Sequence, residues 1–185
     1  MVKRDLIRNI IIAVLAIVVI SLLRVFVLST HRVTEGQAND YIHAGDYVTF
    51  NKNVEPQKKD FILYTVNGKD YIGRVIAGEG KSVTAMDDFL YVNDKSVDEA
   101  YISKDKSAYL ATVSPGNFFT DDFSIATLTD NKQTKIEKGQ YLVLNDNRRN
   151  TDDSRKFGLI EKDQIKGVIS FRLYPLSRFG FVDVD

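Results

Sequence analysis

The stretch of sequence that decides the fold is Gly139-Gln-Tyr-Leu-Val-Leu-Asn-Asp-Asn-Arg-Arg-Asn-Thr-Asp-Asp-Ser-Arg-Lys-Phe-Gly158. It begins with Gln140–Leu144, an apolar run of the kind that forms strands. The segment that follows, residues 145–154, is rich in Asn and Asp, whose side chains bond to nearby backbone groups in turns. The stretch therefore predicts a strand that leads into a turn-rich loop.

Short apolar runs separated by turn residues also occupy the chain on either side of this stretch. The runs that we predict as strands are residues 47–50, 61–64, 71–76, 89–92 and 167–173. Asn67-Gly68 and Asn93-Asp94 lie beside such runs and are typical of hairpin turns. Several strands at short intervals predict a mainly β domain of antiparallel sheet. The more polar stretch from about residue 84 to about residue 138 predicts an inserted sub-domain or long loops.

An apolar segment near the N-terminus predicts one transmembrane helix over residues 9–28. About 19 residues at 1.5 Å each span roughly the 30 Å hydrocarbon core of a bilayer. Lys3, Arg4 and Arg8 precede the segment, so the positive-inside rule predicts a cytoplasmic N-terminus at 1–8 and an extracellular domain at 29–185. The alternative is a cleavable signal peptide, but no small-x-small cleavage site follows the segment. We expect a retained, single-pass anchor in the cell membrane.

The composition excludes several classes of function. The 25 Lys and Arg residues balance the 25 Asp and Glu residues, so the chain offers no general attraction for nucleic acid. The absence of cysteine excludes disulfides, thiolate metal ligands and a Cys nucleophile. His31 and His43 are the only histidines, too few for a three-histidine zinc site, and no HExxH spacing occurs. We therefore expect neither a metal nor another cofactor.

The motifs, taken in order, resemble those of the bacterial type I signal peptidases, in the Gram-positive form with a single anchor. The stretch 139–158 is similar to the family's strand followed by GDNRxNSxDSRxFG, with Asn145 replacing Gly and Thr151 replacing the first Ser. Residues 90–93 and 101–102 resemble the family's LYVNG and EPYL segments, and residues 167–180 resemble its ending. The resemblance implies an antiparallel signal-peptidase-like β domain on a single N-terminal transmembrane α-helix. It also implies a serine endopeptidase that removes signal peptides from exported proteins.

The family's reaction uses a serine nucleophile and a lysine general base. A serine needs a neighbouring base, and a lysine can act as one only if burial leaves its amine neutral. The family's GxSMxPTLxxGD motif corresponds to residues 35–46, where the serine position falls on Ala38 or, in the alignment from the other end, on Gln37. The lysine of YxKRVIGxPGD falls on Gly73. We therefore predict that the chain is a catalytically inactive homologue and is not an enzyme.

Other parts of the family's site are retained in the sequence. The residues that we interpret as structural remnants of the site are Arg74, Asp146, Thr151, Asp153, Ser154 and Arg155. The resemblance implies that Arg74 pairs with Asp146 and that Asp153 pairs with Arg155. Thr151 keeps a hydroxyl where the family's serine orients the lysine. A calcium site at Asp146, Asp152 and Asp153 is a weaker interpretation, because no EF-hand glycine or terminal Glu fits the spacing.

These observations lead to two hypotheses about function. The first is an inert, membrane-anchored homologue that binds signal peptides of exported proteins or assembles with an active signal peptidase. By resemblance, the peptide adds as a strand at edges around residues 32–36 and 61–64, through main-chain hydrogen bonds that need no catalytic pair. The alternative is an active signal peptidase with relocated catalytic residues. The candidates for relocation are Ser29, Thr30, Thr34, Lys52 and Lys81, and they would have to align with the donors that stabilise the oxyanion.

Overall fold

The computed structural model describes residues 2–26 and 28–182, apart from the side chains of residues 2, 3 and 22–28. Its first element is helix α1, Val2–Phe26, which covers most of the predicted span. Met1 and Val27, and residues 183–185 of the predicted outer domain, lie outside the described residues. Among the described residues, no helix combines the length and the apolar character that a membrane span requires.

The part of the chain that the structure describes is mainly β, as the sequence predicts. Its strands are β1 Leu28–Arg32, β2 Tyr47–Asn51, β3 Phe61–Val66, β4 Lys69–Ala77, β5 Val83–Met86, β6 Phe89–Val92, β7 Lys95–Val97, β8 Phe123–Ser124, β9 Gln140–Leu144, β10 Ile160–Glu161, β11 Ile165–Tyr174 and β12 Gly180–Phe181. The helices that follow α1 are α2 Ser103–Leu110, α3 Ile125–Leu128 and α4 Ser154–Phe157. Short 3-10 turns include Glu35–Gln37 and Ala100–Ile102.

The described strands form two antiparallel sheets. The larger sheet has the order β1-β2-β11-β3-β4-β9-β10, with β12 paired to β11. Its central strands β3 and β9 are mostly apolar and buried, and β4 is buried from Ile72 to Ala77, as expected of strands that are covered on both sides. The smaller sheet has the order β7-β6-β5-β8 and lies within the stretch that separates β4 from β9.

Two hairpins turn where the sequence predicts them. Asn67 and Gly68 join β3 to β4 with φ angles of 51° and 77°. Asn93 and Asp94 join β6 to β7 with φ angles of 51° and 60°. Two consecutive residues with positive φ give the type I′ turn, whose twist matches that of the strands it connects.

One hydrophobic cluster joins the two sheets. Its buried side chains come from β4 and β9 of the larger sheet, and from β5, β6 and β8 of the smaller one. They include Ile76, Leu142, Leu144, Ala85 and Phe123. The smaller sheet is thus fixed against the same strands, β4 and β9, that frame the site described below.

Strand β4 changes partners midway, and this change opens the site. Its first part, from Lys69 to Arg74, pairs with β3 on one side. On the other side, pairing with β9 begins only at Arg74, which lies opposite Leu144. In the described part of the chain, the β9 side of β4 from Lys69 to Gly73 therefore has no strand beside it.

Candidate functional site

A small cleft of about 70 Å³ lies beside the unpaired part of β4. Its lining comes from the Glu35–Gln37 turn with the two residues after it, from β4, and from the loop after β9. The lining residues are Glu35, Gly36, Gln37, Ala38, Asn39, Ile72, Gly73, Asn145, Asp146, Asn147 and Asn150. The cleft thus brings together both predicted serine positions, Ala38 and Gln37, and the predicted lysine position, Gly73. None of the described residues in this lining is a serine, threonine, lysine or histidine.

Gln37 is held in the wall of the cleft by a set of hydrogen bonds. Its side chain is buried, and its Nε2 donates to the main-chain oxygen of Asp70 on β4 at 2.8 Å. Its Oε1 accepts from the backbone N–H of Thr34 at 3.0 Å and lies 2.9 Å from Nε2 of His31. These contacts connect the end of β1 to the unpaired part of β4. Ala38, the other candidate for the serine position, is partly exposed beside Gln37.

Gly73 faces a buried valine on the neighbouring strand. A Cβ atom built on Gly73 would lie 2.6 Å from Cγ1 of Val143 and 3.4 Å from the main-chain oxygen of Leu144. Val143 is fully buried, so its methyl group occupies the space that a side chain at position 73 would need. The absence of a side chain at Gly73 is therefore matched by the packing of β9.

Asp146, which lines the cleft, forms a buried ion pair with Arg74. Nε and Nη2 of Arg74 donate to the two carboxylate oxygens of Asp146, each at 2.8 Å, and both side chains are almost fully buried. The guanidinium carbon lies 4.2 Å from the ring centres of Phe61 and Tyr101 and 4.9 Å from that of Tyr41. Stacking on aromatic rings and bidentate pairing are arrangements that favour arginine over lysine.

A second buried arginine, Arg148, forms another ion pair near the first one. Arg148 is fully buried and pairs with Glu99, which precedes the Ala100–Ile102 turn. The hydroxyl of Tyr101 donates to Glu99 at 2.7 Å, while its ring stacks on Arg74. Burial and the neighbouring carboxylate of Glu99 raise the pKa of Tyr101. The Glu99–Arg148 pair is not predicted from the sequence, although both residues lie in or beside segments that match family motifs.

The other retained residues stabilise the loop after β9. Asp153 pairs with Arg155 at 2.7 Å and accepts from the backbone N–H groups of Asn145 and Arg155. Ser154 accepts from the backbone N–H of Val143 at 3.0 Å. Both ion pairs implied by the resemblance are therefore present in the structure. Thr151, by contrast, is exposed and lines a different hollow, so the structure does not bring its hydroxyl to the cleft.

The carboxylates considered for calcium each face a separate cation. Asp146 pairs with Arg74, Asp153 with Arg155, and Asp152 with Lys156 at 2.6 Å. Among the residues that the structure describes, no group of three or more His, Cys, Asp or Glu side chains is arranged to hold a metal ion.

Asp46, which follows the predicted serine loop, anchors the C-terminal part of the large sheet. It is fully buried, lies 2.8 Å from Nε of Arg172 and 2.6 Å from Arg178, and accepts from the backbone N–H of His43. Burial opposes its ionisation, but the His43 N–H and the two guanidinium groups outweigh that effect and hold the pKa of Asp46 below its ordinary value.

The predicted docking edges need one correction. Strand β3, which contains residues 61–64, has β11 on one side and β4 on the other, so no peptide can add there. The edge that borders the cleft in the described chain is the first part of β4, across from the Glu35–Gln37 turn. A sequence pattern identifies a strand without identifying its neighbours, so it does not show whether that strand lies at an edge.

One family of peptidases, the signal peptidases of family S26, has a family model that matches most of this chain. The chain is a member of that family, because the family model described as "Signal peptidase, peptidase S26" matches residues 5–174.

Similar proteins include Signal peptidase IB of Staphylococcus aureus (strain MRSA252), which is 33% identical over 186 residues, covering 97% of this chain and 95% of that protein. Signal peptidase I of Bacillus caldolyticus is 34% identical over 171 residues, and the match covers 90% of this chain and 90% of that protein. The crystal structure of a signal peptidase I from Enterococcus faecalis V583 is similar with a TM-score of 0.55 and 34% identity, over 62% of this chain and 97% of that one.

These comparisons confirm the predicted family and correct one prediction. The prediction that the chain is not an enzyme is contradicted, because the chain belongs to a peptidase family and the similar proteins are named as signal peptidases. The assignment of the family's serine to Ala38 or Gln37, and of its lysine to Gly73, stays a prediction from the motifs.

Proposed function

We propose that this protein binds the signal peptides of exported proteins as an added strand on the open edge of β4. The observation that carries the proposal is the change of partners in β4, which leaves Lys69 to Gly73 beside the cleft with no strand on the β9 side of the described chain. Adding a strand to an open sheet edge is a common mode of peptide recognition, in which main-chain hydrogen bonds supply the affinity.

The register of the β3–β4 hairpin identifies the groups available to the peptide. In a two-residue hairpin the pair that closes the turn, Val66 and Lys69, is hydrogen-bonded, and bonded and non-bonded pairs then alternate. Asp70 and Ile72 therefore direct their main-chain groups away from β3, toward the cleft. Ile72 also lines the cleft, where it offers an apolar contact to a small side chain of the peptide.

Membership of the family favours a second, more specific function, the hydrolysis of the bound signal peptide. Because the cleft lining contains no hydroxyl or lysine among the described residues, the nucleophile would come from outside that lining. Thr34 is exposed immediately before the Glu35–Gln37 turn and is the candidate hydroxyl nearest to the cleft in sequence. Ser29 and Thr30 on β1 are the other candidates, with Lys52 or Lys81 as the base.

The third part of the proposal concerns location. The apolar segment at residues 9–28 anchors the chain in the cell membrane as a single pass, with the N-terminus in the cytoplasm and the β domain outside. This arrangement presents the cleft on the side where exported proteins emerge. Protease added to intact cells should digest the β domain and spare an N-terminal tag, and the reverse pattern would overturn the orientation.

Crosslinking tests the binding proposal directly. Because the chain contains no cysteine, a single Gly36→Cys substitution places a reactive thiol at the cleft, where a new side chain meets no atom within 4 Å. The full-length variant, carrying a photo-crosslinker on that thiol, should capture a synthetic signal peptide with an Ala-X-Ala cleavage site. The control is Lys95→Cys, on the exposed edge strand of the smaller sheet. Equal capture at both positions would overturn the proposed site.

Mass spectrometry of a preprotein incubated with the same full-length protein tests hydrolysis. The protein must come from a preparation free of host signal peptidase. Hydrolysis predicts a cut at the leader junction that disappears when one of the candidate hydroxyls is replaced, with Thr34→Ala as the first variant. A preprotein that stays intact would overturn hydrolysis and leave the binding proposal standing.

A further inference from the structure

The side chain of Gln37 forms a hydrogen bond with a main-chain oxygen of β4 that a docked peptide needs as an acceptor. The oxygen of Asp70 is one of the acceptors that β4 directs toward the cleft, and it already receives a hydrogen bond from Nε2 of Gln37 at 2.8 Å. An added strand would pair with this oxygen through one of its own N–H groups. The glutamine amide and the peptide N–H therefore compete for the same acceptor.

The contact is built into the loop and does not arise from a loosely placed surface side chain. Gln37 is 8% exposed, and its Oε1 is held from the other side by the N–H of Thr34 and by His31. Its own backbone N–H bonds to the oxygen of Thr34 at 3.1 Å. Every polar atom of the side chain thus has a partner, and the orientation of the amide is fixed by this set of donors and acceptors.

The acceptor side of the contact is equally well fixed. The carboxylate of Asp70 bonds to the hydroxyl of Thr65 at 2.7 Å and to Lys166 at 2.8 Å. Burial opposes ionisation of Asp70, but Lys166, Thr65 and the nearby His31 together hold its pKa below the ordinary value. The main chain at Asp70 is thereby held at the edge of the cleft, where its oxygen meets Gln37.

We propose that Gln37 is a latch that closes the peptide-docking edge of β4 and must release Asp70 before a signal peptide binds. The proposal rests on the function proposed above and adds to it a residue that sets the affinity. Releasing the latch exchanges one hydrogen bond within the protein for one between protein and peptide. The hydrogen bond between Gln37 and Asp70 therefore lowers the affinity for the signal peptide, by an amount set by the net free energy of that bond.

Replacing the side-chain amide of Gln37 by a carboxylate, which has no N–H to donate, tests this latch. In Gln37→Glu, the carboxylate keeps the acceptors used by Thr34 and His31 but has no N–H to give to the oxygen of Asp70. We expect the full-length variant to bind a fluorescent synthetic signal peptide with an Ala-X-Ala site about threefold to tenfold more tightly than the unmodified chain at neutral pH. Gln37→Ala, which removes the contact altogether, provides a second variant and should also bind more tightly.

The matched control is Gln57→Glu, the same substitution at an exposed glutamine whose Nε2 donates to the oxygen of Glu55, outside the cleft. It should leave the affinity unchanged. Circular dichroism on each variant confirms that the β domain is folded, and mass spectrometry of the recovered peptide confirms that intact peptide was measured. Binding that is unchanged or weaker in both Gln37 variants would overturn the latch alone. If neither the unmodified chain nor any variant binds the peptide, both the latch and the proposed function are overturned.

Discussion

A Cβ atom on Gly73 would come within 2.6 Å of Cγ1 of Val143, so these two residues on neighbouring strands have complementary volumes. Contacts this short between carbon atoms do not persist, and a β-branched valine has few rotamers with which to move away. The glycine on β4 and the valine on β9 therefore form one packing unit.

The first prediction follows from that unit. Gly73→Ala should destabilise the fold by about 1–3 kcal/mol, because overpacking outweighs the smaller gain from removing a flexible glycine. In the Val143→Ala background the same substitution should cost much less, giving a coupling energy of about 0.5–3 kcal/mol in a double-mutant cycle. Urea unfolding of the four proteins measures it, and additive effects would show that the two side chains do not share space.

The second prediction concerns the family's catalytic pair. Together, Ala38→Ser and Gly73→Lys introduce the hydroxyl and the amine that the resemblance implies. We expect faster preprotein cleavage when Val143→Ala accompanies them than when it does not, because only then does the lysine stem fit. Replacing Ala38→Ser by Gln37→Ser distinguishes the two alignments of the serine loop, since the correct one should give the larger rate. Equal rates with and without Val143→Ala would contradict the packing argument.

The third prediction concerns the buried ion pair between Arg74 and Asp146. Arg74→Met leaves the carboxylate of Asp146 buried without its bidentate partner and should cost about 3–5 kcal/mol. Adding Asp146→Asn removes the uncompensated charge and should restore part of that loss, as measured by chemical denaturation. The control is Arg149→Met, which breaks an exposed pair with Asp121 at 3.0 Å and should cost at most about 1 kcal/mol. Similar losses in Arg74→Met and Arg149→Met would show that burial is not decisive.

The fourth prediction concerns acid stability. The pKa of Asp46 is lower in the folded protein than its ordinary value of 3.8, so its stabilising effect is fully present above about pH 4 and is lost as the pH falls through the folded pKa. Asp46→Asn should therefore lower the free energy of unfolding at pH 6, and the difference from the unmodified chain should shrink toward pH 3. Asp87→Asn, at the exposed turn between β5 and β6, serves as the control. A difference that is constant with pH would contradict the assignment.

The parts of the fold that the sequence predicts well are the strands with a strong apolar run and a clear turn. Strands β6 and β9 have the predicted bounds, and β4 and β11 extend the predicted runs by two residues at the start and one at the end. The sequence does not predict strands β5 and β7, because Val83–Met86 and Lys95–Val97 are too short to show a clear alternating pattern. Their structure depends on pairing with β6, which local sequence does not record.

The residues of the site can also be predicted from the sequence only in part, because the motifs identify them without showing how they contact one another. The motifs indicate that residues 35–38, Gly73 and the loop after β9 belong together, and the cleft contains them all. The motifs do not indicate that Gln37 reaches across 33 residues to the backbone of Asp70, or that Val143 fills the space beside Gly73. Both contacts depend on the relative placement of strands, which no residue spacing encodes.

The open edge of β4 has a consequence for how this protein can change over evolutionary time. Its main-chain donors and acceptors at Asp70 and Ile72 are present whatever side chains those positions carry, except that a proline would delete a donor. Substitutions of these side chains, other than to proline, can therefore change which signal peptides are preferred. The register in which a peptide docks on β4 stays the same. A reactive side chain lacks this protection, because a single substitution at its position removes it.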